Sequence, residues 1–194
     1  MVEAESGVVL TRRDAKTINL GVTYGMGEPK LADDLGITRE AAKNLLKTYH
    51  HSIPFLKGIS EQMMERARDV GYIRTWGGRI RRFNQWESAR WGDQGLYDTK
   101  EEALEHYNNV VRAKTHKALN SAVQGTAADQ MKQALIDLHS EGLMPMLQVY
   151  DETGTSVDTE ATGYRVCEIM ENALQCEVPA LVEPSFGKSW GDTK

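Results

Sequence analysis

Arg12-Arg13-Asp14-Ala15-Lys16-Thr17-Ile18-Asn19-Leu20-Gly21-Val22-Thr23-Tyr24-Gly25-Met26 is the stretch on which the reading of the whole chain turns. As a helix it has two unlike faces. Arg12, Lys16, Leu20 and Tyr24 recur at every fourth residue and form one slowly drifting stripe. Ala15, Ile18 and Val22 form a second, apolar stripe that can bury. Thr11 stands where an N-cap belongs, and Gly25 and Gly27 are expected to end the helix with backbone that tolerates positive φ. The first stripe carries two permanent cations near the helix start, then a flat apolar side chain, then an aromatic with a hydroxyl. A ligand lying along it meets charge first and stacking surface last. A nucleoside triphosphate has that order, and the amino-terminal end of the helix dipole adds attraction for its phosphates. A surface helix with solvated Arg and Lys has the same pattern, and this stretch taken alone favours the plainer reading.

Length and composition set the frame. The 194 residues suit one domain or two subdomains with a core of useful size. No apolar run is long enough to span a bilayer, and Met1 to Ser6 lacks the basic-then-apolar order of a secretory signal. Cys167 and Cys176 have neither metal nor redox spacing, which fits reduced thiols in the cytoplasm. A net charge of −5 speaks weakly against nucleic acid, because local clusters decide phosphate contact. Such clusters occur at Arg12, Arg13 and Lys16, at Arg74, Arg79, Arg81 and Arg82, and at Arg112, Lys114 and Lys117, apart from acid at Glu101, Glu102 and Glu105.

Beyond the first helix, Pro29 to Leu35 reads as a short helix closed by Gly36, and Thr38 caps another that buries Ala41, Ala42, Leu45 and Leu46. Ile53 to Val70 is amphipathic through Leu56, Ile59, Met63 and Ala67 and ends at Gly71. Tyr72–Trp76, Gly77-Gly78 and Arg79–Phe83 form a hairpin that gathers arginines, either solvated or binding phosphate. Residues 84–99, with Trp86 and Trp91, read as a surface loop or broken helix, and 101–116 as helical. A long helix is expected over 120–142 with Ala128, Met131, Leu135 and Leu138 as its core stripe. Then come a strand over 144–149, a turn at Tyr150–Gly154 and a returning strand at Thr155–Val157. A helix over 160–174 and a last strand beginning at Leu181-Val182-Glu183 complete the chain.

Three segments, in order, carry a resemblance. Arg12-x-x-x-Lys16-x-x-x-Leu20-Gly21-x-x-Tyr24-Gly25 resembles the fingers helix of the family A (DNA polymerase I-like) DNA polymerases. Gln124-Gly125-Thr126-Ala127-Ala128-Asp129 and Gln148-Val149-Tyr150-Asp151-Glu152 resemble two further motifs of that family. Three matches in order are far more specific than any one. The resemblance implies an α+β fold: a connector over 1–10, a helical fingers subdomain over 11–100, and over 101–194 the C-terminal part of a polymerase palm with a small antiparallel sheet. It implies that Arg12 and Lys16 grip the incoming dNTP, with Lys16 counted among the catalytic groups. Leu20, where an aromatic is usual, lies against the sugar, and Tyr24 covers the template base. Asn120 and Gln124 read the minor groove of primer-template DNA, whose acceptors are common to all base pairs. Thr75, Gly78, Arg79 and Arg81 fit a Thr-x-x-Gly-Arg-Arg-Arg-like segment near the template, with Ile80 replacing one Arg. His116 stands where an Arg is expected. Tyr150 replaces a His that contacts the primer end. Asp151 matches a metal-binding catalytic aspartate, with Glu152 the acidic residue beside it, for two Mg²⁺ ions. By spacing alone, Asp151 and Glu152 are ordinary turn residues.

Two expected parts are missing. Asp33-Asp34, Asp93 and Asp98 are not followed by anything like the Asp-Tyr-Ser-Gln-Ile-Glu motif that carries the family's second metal-binding aspartate, and no thumb is present. The resemblance therefore implies a DNA-directed DNA polymerase active only with a second polypeptide that supplies the thumb and that aspartate. It would act in the cytoplasm, the host's if the gene is a phage's. A phage-like polymerase encoded in two pieces, with a start at Met1, is the favoured reading. An excised fragment is another. A catalytically inactive DNA-binding remnant or interaction module is the third, using arginine clusters to hold phosphates without chemistry.

Overall fold

The computed structural model describes residues 10–90 and 92–193. The connector read over 1–10 lies, Leu10 excepted, outside the described residues, as does Trp91. The chain is α+β and rich in helix. Among the described residues its strands form three separate two-stranded sheets, and no helix is long and apolar enough to cross a membrane. Contacts divide it into two units. One joins the chain up to residue 73 with 80–122, and the other joins 74–79 with 123–194.

In the first unit, α1 (Arg12–Thr23) begins with a reciprocal cap. Asp14 N donates to Thr11 Oγ1 at 3.2 Å, and Thr11 N donates to Asp14 Oδ2 at 2.9 Å. The Thr11 hydroxyl, then its backbone N–H, holds the Asp14 carboxyl below the usual carboxylate range, and Arg13 adds to the effect. A depressed native pKa stabilises the cap above the unfolded carboxylate pKa and is lost as pH falls through the native one. Protection of the first-turn amides of α1, measured against their intrinsic exchange rates, is therefore expected to fall below about pH 4, and Asp14→Asn should flatten that pH dependence. Equal pH profiles in the two proteins would contradict the cap's role.

Gly25 closes the helix at φ 77°, as expected, whereas Gly27 is extended and starts α2 (Glu28–Leu35). Gly36 ends α2 in the left-handed region at φ 64°, and Thr38 caps α3 (Arg39–Ser52) by accepting from Ala41 N. Ile18, Leu31, Ala32, Ala42, Leu45, Leu46 and Tyr49 make one core shared by these three helices, with Val22 half-buried beside it. Ala15, read as part of the apolar stripe, is exposed. Next, α4 (Pro54–Val70) ends at Gly71, and β1 (Tyr72–Arg74) and β2 (Ile80–Arg82) pair as the predicted hairpin. Ile73 and Phe83 pack on Ala67, Ala118 and Ala122.

The middle of the chain corrects two expectations. Residues 84–99 contain β3 (Trp86–Ser88), and the helix read over 101–116 is only α5 (Lys100–His106), followed by β4 (Val110–Arg112). β3 and β4 pair antiparallel, Trp86 opposite Arg112, and the Arg112 guanidinium lies 4.8 Å over the Trp86 ring. Strands this short show no period of their own, and their pairing is non-local.

The helix α6 (Ala118–Ser140) follows. In the second unit it buries Met131, Ala134 and Leu138 against Val166, Ile169 and Met170 of α7 (Glu160–Asn172). Ala128, read as core, is exposed, and Ala134 is buried instead. Between the helices, β5 (Pro145–Val149) and β6 (Glu152–Thr155) form an antiparallel hairpin. Leu181–Glu183 is not a strand. Val182 donates its N–H to Glu171 at 2.8 Å and packs its side chain against the α6–α7 core, and Pro184 follows.

Candidate active-site residues

Burial sets the direction of the α1 stripe. Ile18 and Gly21 face the core, so Arg12, Lys16, Leu20 and Tyr24 face outward, with Leu20 42% and Tyr24 39% exposed. Gly21 is a close-approach position, because a Cβ there would run into the Met26 side chain. From α3, Tyr49 donates its hydroxyl to Asn19 Oδ1 at 2.6 Å. Burial pushes the Tyr49 phenol up from its ordinary pKa. The result is a rigidly seated helix with an exposed row of two cations, one aliphatic and one aromatic side chain.

The 74–79 turn is held on α6 within the second unit. Thr75 donates its hydroxyl to Asp129 Oδ2, and Arg79 Nε pairs with Asp129 Oδ1. Arg79 also donates from Nη2 to the Gly125 carbonyl at 2.9 Å, and Trp76 N donates to Thr126 Oγ1 at 3.0 Å. A Cβ on Gly77 would fall 2.7 Å from Asp129, and one on Gly125 would fall 2.5 Å from Thr75. The two glycines thus let turn and helix meet backbone to side chain. Arg79 therefore has part of its guanidinium committed inside the protein, while its side chain stays about half exposed. Arg81 is exposed, with its guanidinium 5.5 Å over the Phe83 ring. Asp129 was legible only as the end of a motif. Its partners lie some fifty residues away in sequence, and nothing local points to them.

On α6, Asn120 and Gln124 are one turn apart on one face. Gln124 is exposed and Asn120 half-buried, and Asn120 Oδ1 accepts no hydrogen bond among the described residues. His116 is exposed in the 3₁₀ turn just before the helix.

At the hairpin, Val149 pairs with Glu152, so only Tyr150 and Asp151 turn. This is tighter than the five-residue turn read from sequence. Tyr150 takes the left-handed conformation at φ 54°, costing a non-glycine residue roughly 1–2 kcal/mol. Its ring is 90% exposed. Asp151 and Glu152 are exposed side by side at the tip. Asp151 in the turn and Glu152 at the start of β6 offer hard carboxylate oxygens of the kind that suit Mg²⁺, which takes few protein ligands and keeps water. Among the described residues, no group of three or more His, Cys, Asp or Glu side chains converges as a metal cage.

Comparison with known proteins runs over nearly the whole chain. Residues 2–192 match DNA polymerase family A. The chain is 32% identical over 202 residues to DNA polymerase I of Lactococcus lactis subsp. cremoris, covering 99% of this chain and 21% of that protein. It is 31% identical over 216 residues to a DNA-directed DNA polymerase of Pseudomonas phage M6, covering 94% of this chain and 29% of that one. The fold superposes with a TM-score of 0.74 and 27% identity on the POL domain of Pol1 from M. smegmatis in complex with DNA primer-template and dNTP, over 99% of this chain and 34% of that one. The chain therefore spans less than a third of the length of these two curated relatives. With a match from residue 2 to residue 192 and the same fold, the chain belongs to DNA polymerase family A.

Proposed function

We propose that this chain is the C-terminal fingers-and-palm portion of a template-directed DNA polymerase. It binds the incoming dNTP and primer-template DNA, and catalyses nucleotidyl transfer only with a second polypeptide that supplies the thumb and another carboxylate. In this reading residues 1–10 are a connector, 11–100 the fingers and 101–194 the palm portion, and the enzyme works in the cytoplasm, the host's if phage-encoded. The observation that carries the reading is the outward row Arg12, Lys16, Leu20 and Tyr24 on a capped helix, in the order of phosphates, sugar and base.

Each residue then has a physical task. Arg12 and Lys16 neutralise the triphosphate, Lys16 doing so as charge builds on the departing pyrophosphate. Leu20 packs on the sugar and Tyr24 stacks by the template base. Asn120 and Gln124 donate to minor-groove acceptors, so geometry is read rather than sequence. Arg79, Arg81 and Tyr150 touch the strands. Asp151 and Glu152 would hold two Mg²⁺ ions jointly with the partner's carboxylate, and the ions when bound supply charge neutralisation for in-line displacement. The test is primer extension with Mg²⁺, by this chain alone and then with the missing portion of a family A polymerase. Extension only in the mixture supports the reading. DNA binding without extension in either case would mean an inactive DNA-binding remnant or interaction module.

The sugar contact has its own test. Leu20 offers less surface than an aromatic, so Leu20→Phe is expected to change the ratio of dideoxynucleotide to deoxynucleotide incorporation, with the Leu20 enzyme the less discriminating at the 3′ position. Equal ratios in the two enzymes would rule out Leu20 as the sugar-facing residue.

A further inference from the structure

We infer that Tyr49 is a positioning residue for the triphosphate end of α1, acting through Asn19; this rests on the reading of α1 given under Proposed function. The helix is seated on its core by Ile18 and Gly21, and apolar contact is not directional. A cylinder resting on such a seam can roll. The Tyr49 hydroxyl, 30 residues on in sequence, supplies the direction by donating to Asn19 Oδ1 at 2.6 Å. Asn19 lies seven residues after Arg12, which at 3.6 residues per turn puts the two within about 20° on the helix circumference. The hydrogen bond thus grips the same edge of α1 from which Arg12 projects. A roll of about 20° carries a side-chain tip about 2 Å around a helix of this radius. That is enough to break a two-pronged guanidinium–phosphate contact.

Tyr49 is 6% exposed and belongs to the α1–α3 core, so Tyr49→Phe keeps the packing and removes only the donor. The experiment titrates a fluorescent dATP analogue into the full 194-residue chain at 10 °C, with thermal unfolding followed in parallel. The proteins compared are the parent, Arg12→Ala, Tyr49→Phe, Asn19→Ala and the Tyr49→Phe/Asn19→Ala double variant. Tyr49→Phe is expected to weaken binding about fivefold, the worth of one neutral hydrogen bond. The double variant should be no worse than the weaker single one, because both remove the same interaction. A merely structural tyrosine would lower the unfolding temperature and leave the affinity of the folded protein alone. If Arg12→Ala weakens binding while Tyr49→Phe stays within twofold of the parent, or the two single effects multiply, the Tyr49 role is overturned and the reading of α1 stands. If the parent does not bind, or Arg12→Ala binds like the parent, the reading of α1 falls and takes the Tyr49 role with it.

Discussion

Asp151→Ala is expected to cut primer extension by the complemented enzyme about a thousandfold or more while leaving DNA binding in place. The size follows from the chemistry. Charge stabilisation at a transferring phosphoryl group is worth several kcal/mol, and each 1.36 kcal/mol is about tenfold in rate. The position follows from the hairpin. Val149 and Glu152 are cross-strand partners, so the backbone on either side of Tyr150 and Asp151 is pinned. Gln148 Nε2 also donates to the Tyr150 carbonyl at 2.8 Å, which ties the turn to its own strand. A carboxylate mounted this way has little backbone freedom left to lose on binding an ion. Glu152→Ala is expected to cost less, because Glu152 is the neighbour of the metal-binding position in the family's pattern. Single-turnover extension alongside a DNA-binding titration separates the two effects. Asp151→Ala extending primers at the parent's rate would remove the metal site from this turn.

Leu138→Ala is expected to be the most damaging core truncation in the second unit, at about 2–5 kcal/mol. Leu138 is 0% exposed and packs with Met131 and Ala134 of α6 and Val166, Ile169 and Met170 of α7. A loss of that size is a large share of the roughly 5–15 kcal/mol that holds a domain folded. The contrast is Ile136→Ala two residues earlier, on the far side of the same helix and 58% exposed, for which about 0.5 kcal/mol is expected. Urea unfolding of the two variants measures the difference, and similar midpoints would contradict the assignment of the core. The damage should reach the hairpin as well. Leu143, which precedes β5, and Val157, which follows β6, both pack against this cluster, so the turn bearing Asp151 is rooted in it.

Where one residue's neighbours lie within a turn or two, the amino-acid order was enough for most positions. The cap at Thr11, the left-handed glycines at Gly25, Gly36 and Gly71, and most of the buried positions of α1, α3 and α7 follow from periodicity and stop signals, with Ala15 an exception. The helix read over 101–116 did not survive. Val110 to Arg112 finds its partner in Trp86 to Ser88, and that pairing outweighs a helical propensity that was never strong. The strand read at Leu181–Glu183 was lost for the opposite reason, since Val182 has a core to enter but the segment has no ladder to join, and Leu181 is exposed.

The chain's order alone determined its class, its family resemblance and the row of side chains that α1 turns outward, because these depend on local spacing. Only the tertiary structure decided how that row is held. The Tyr49–Asn19 bond joins residues 30 positions apart in the first unit, and in the second the Asp129 clamp on Thr75 and Arg79 spans about fifty. Such contacts form only when the core brings distant segments together, and no local pattern encodes them.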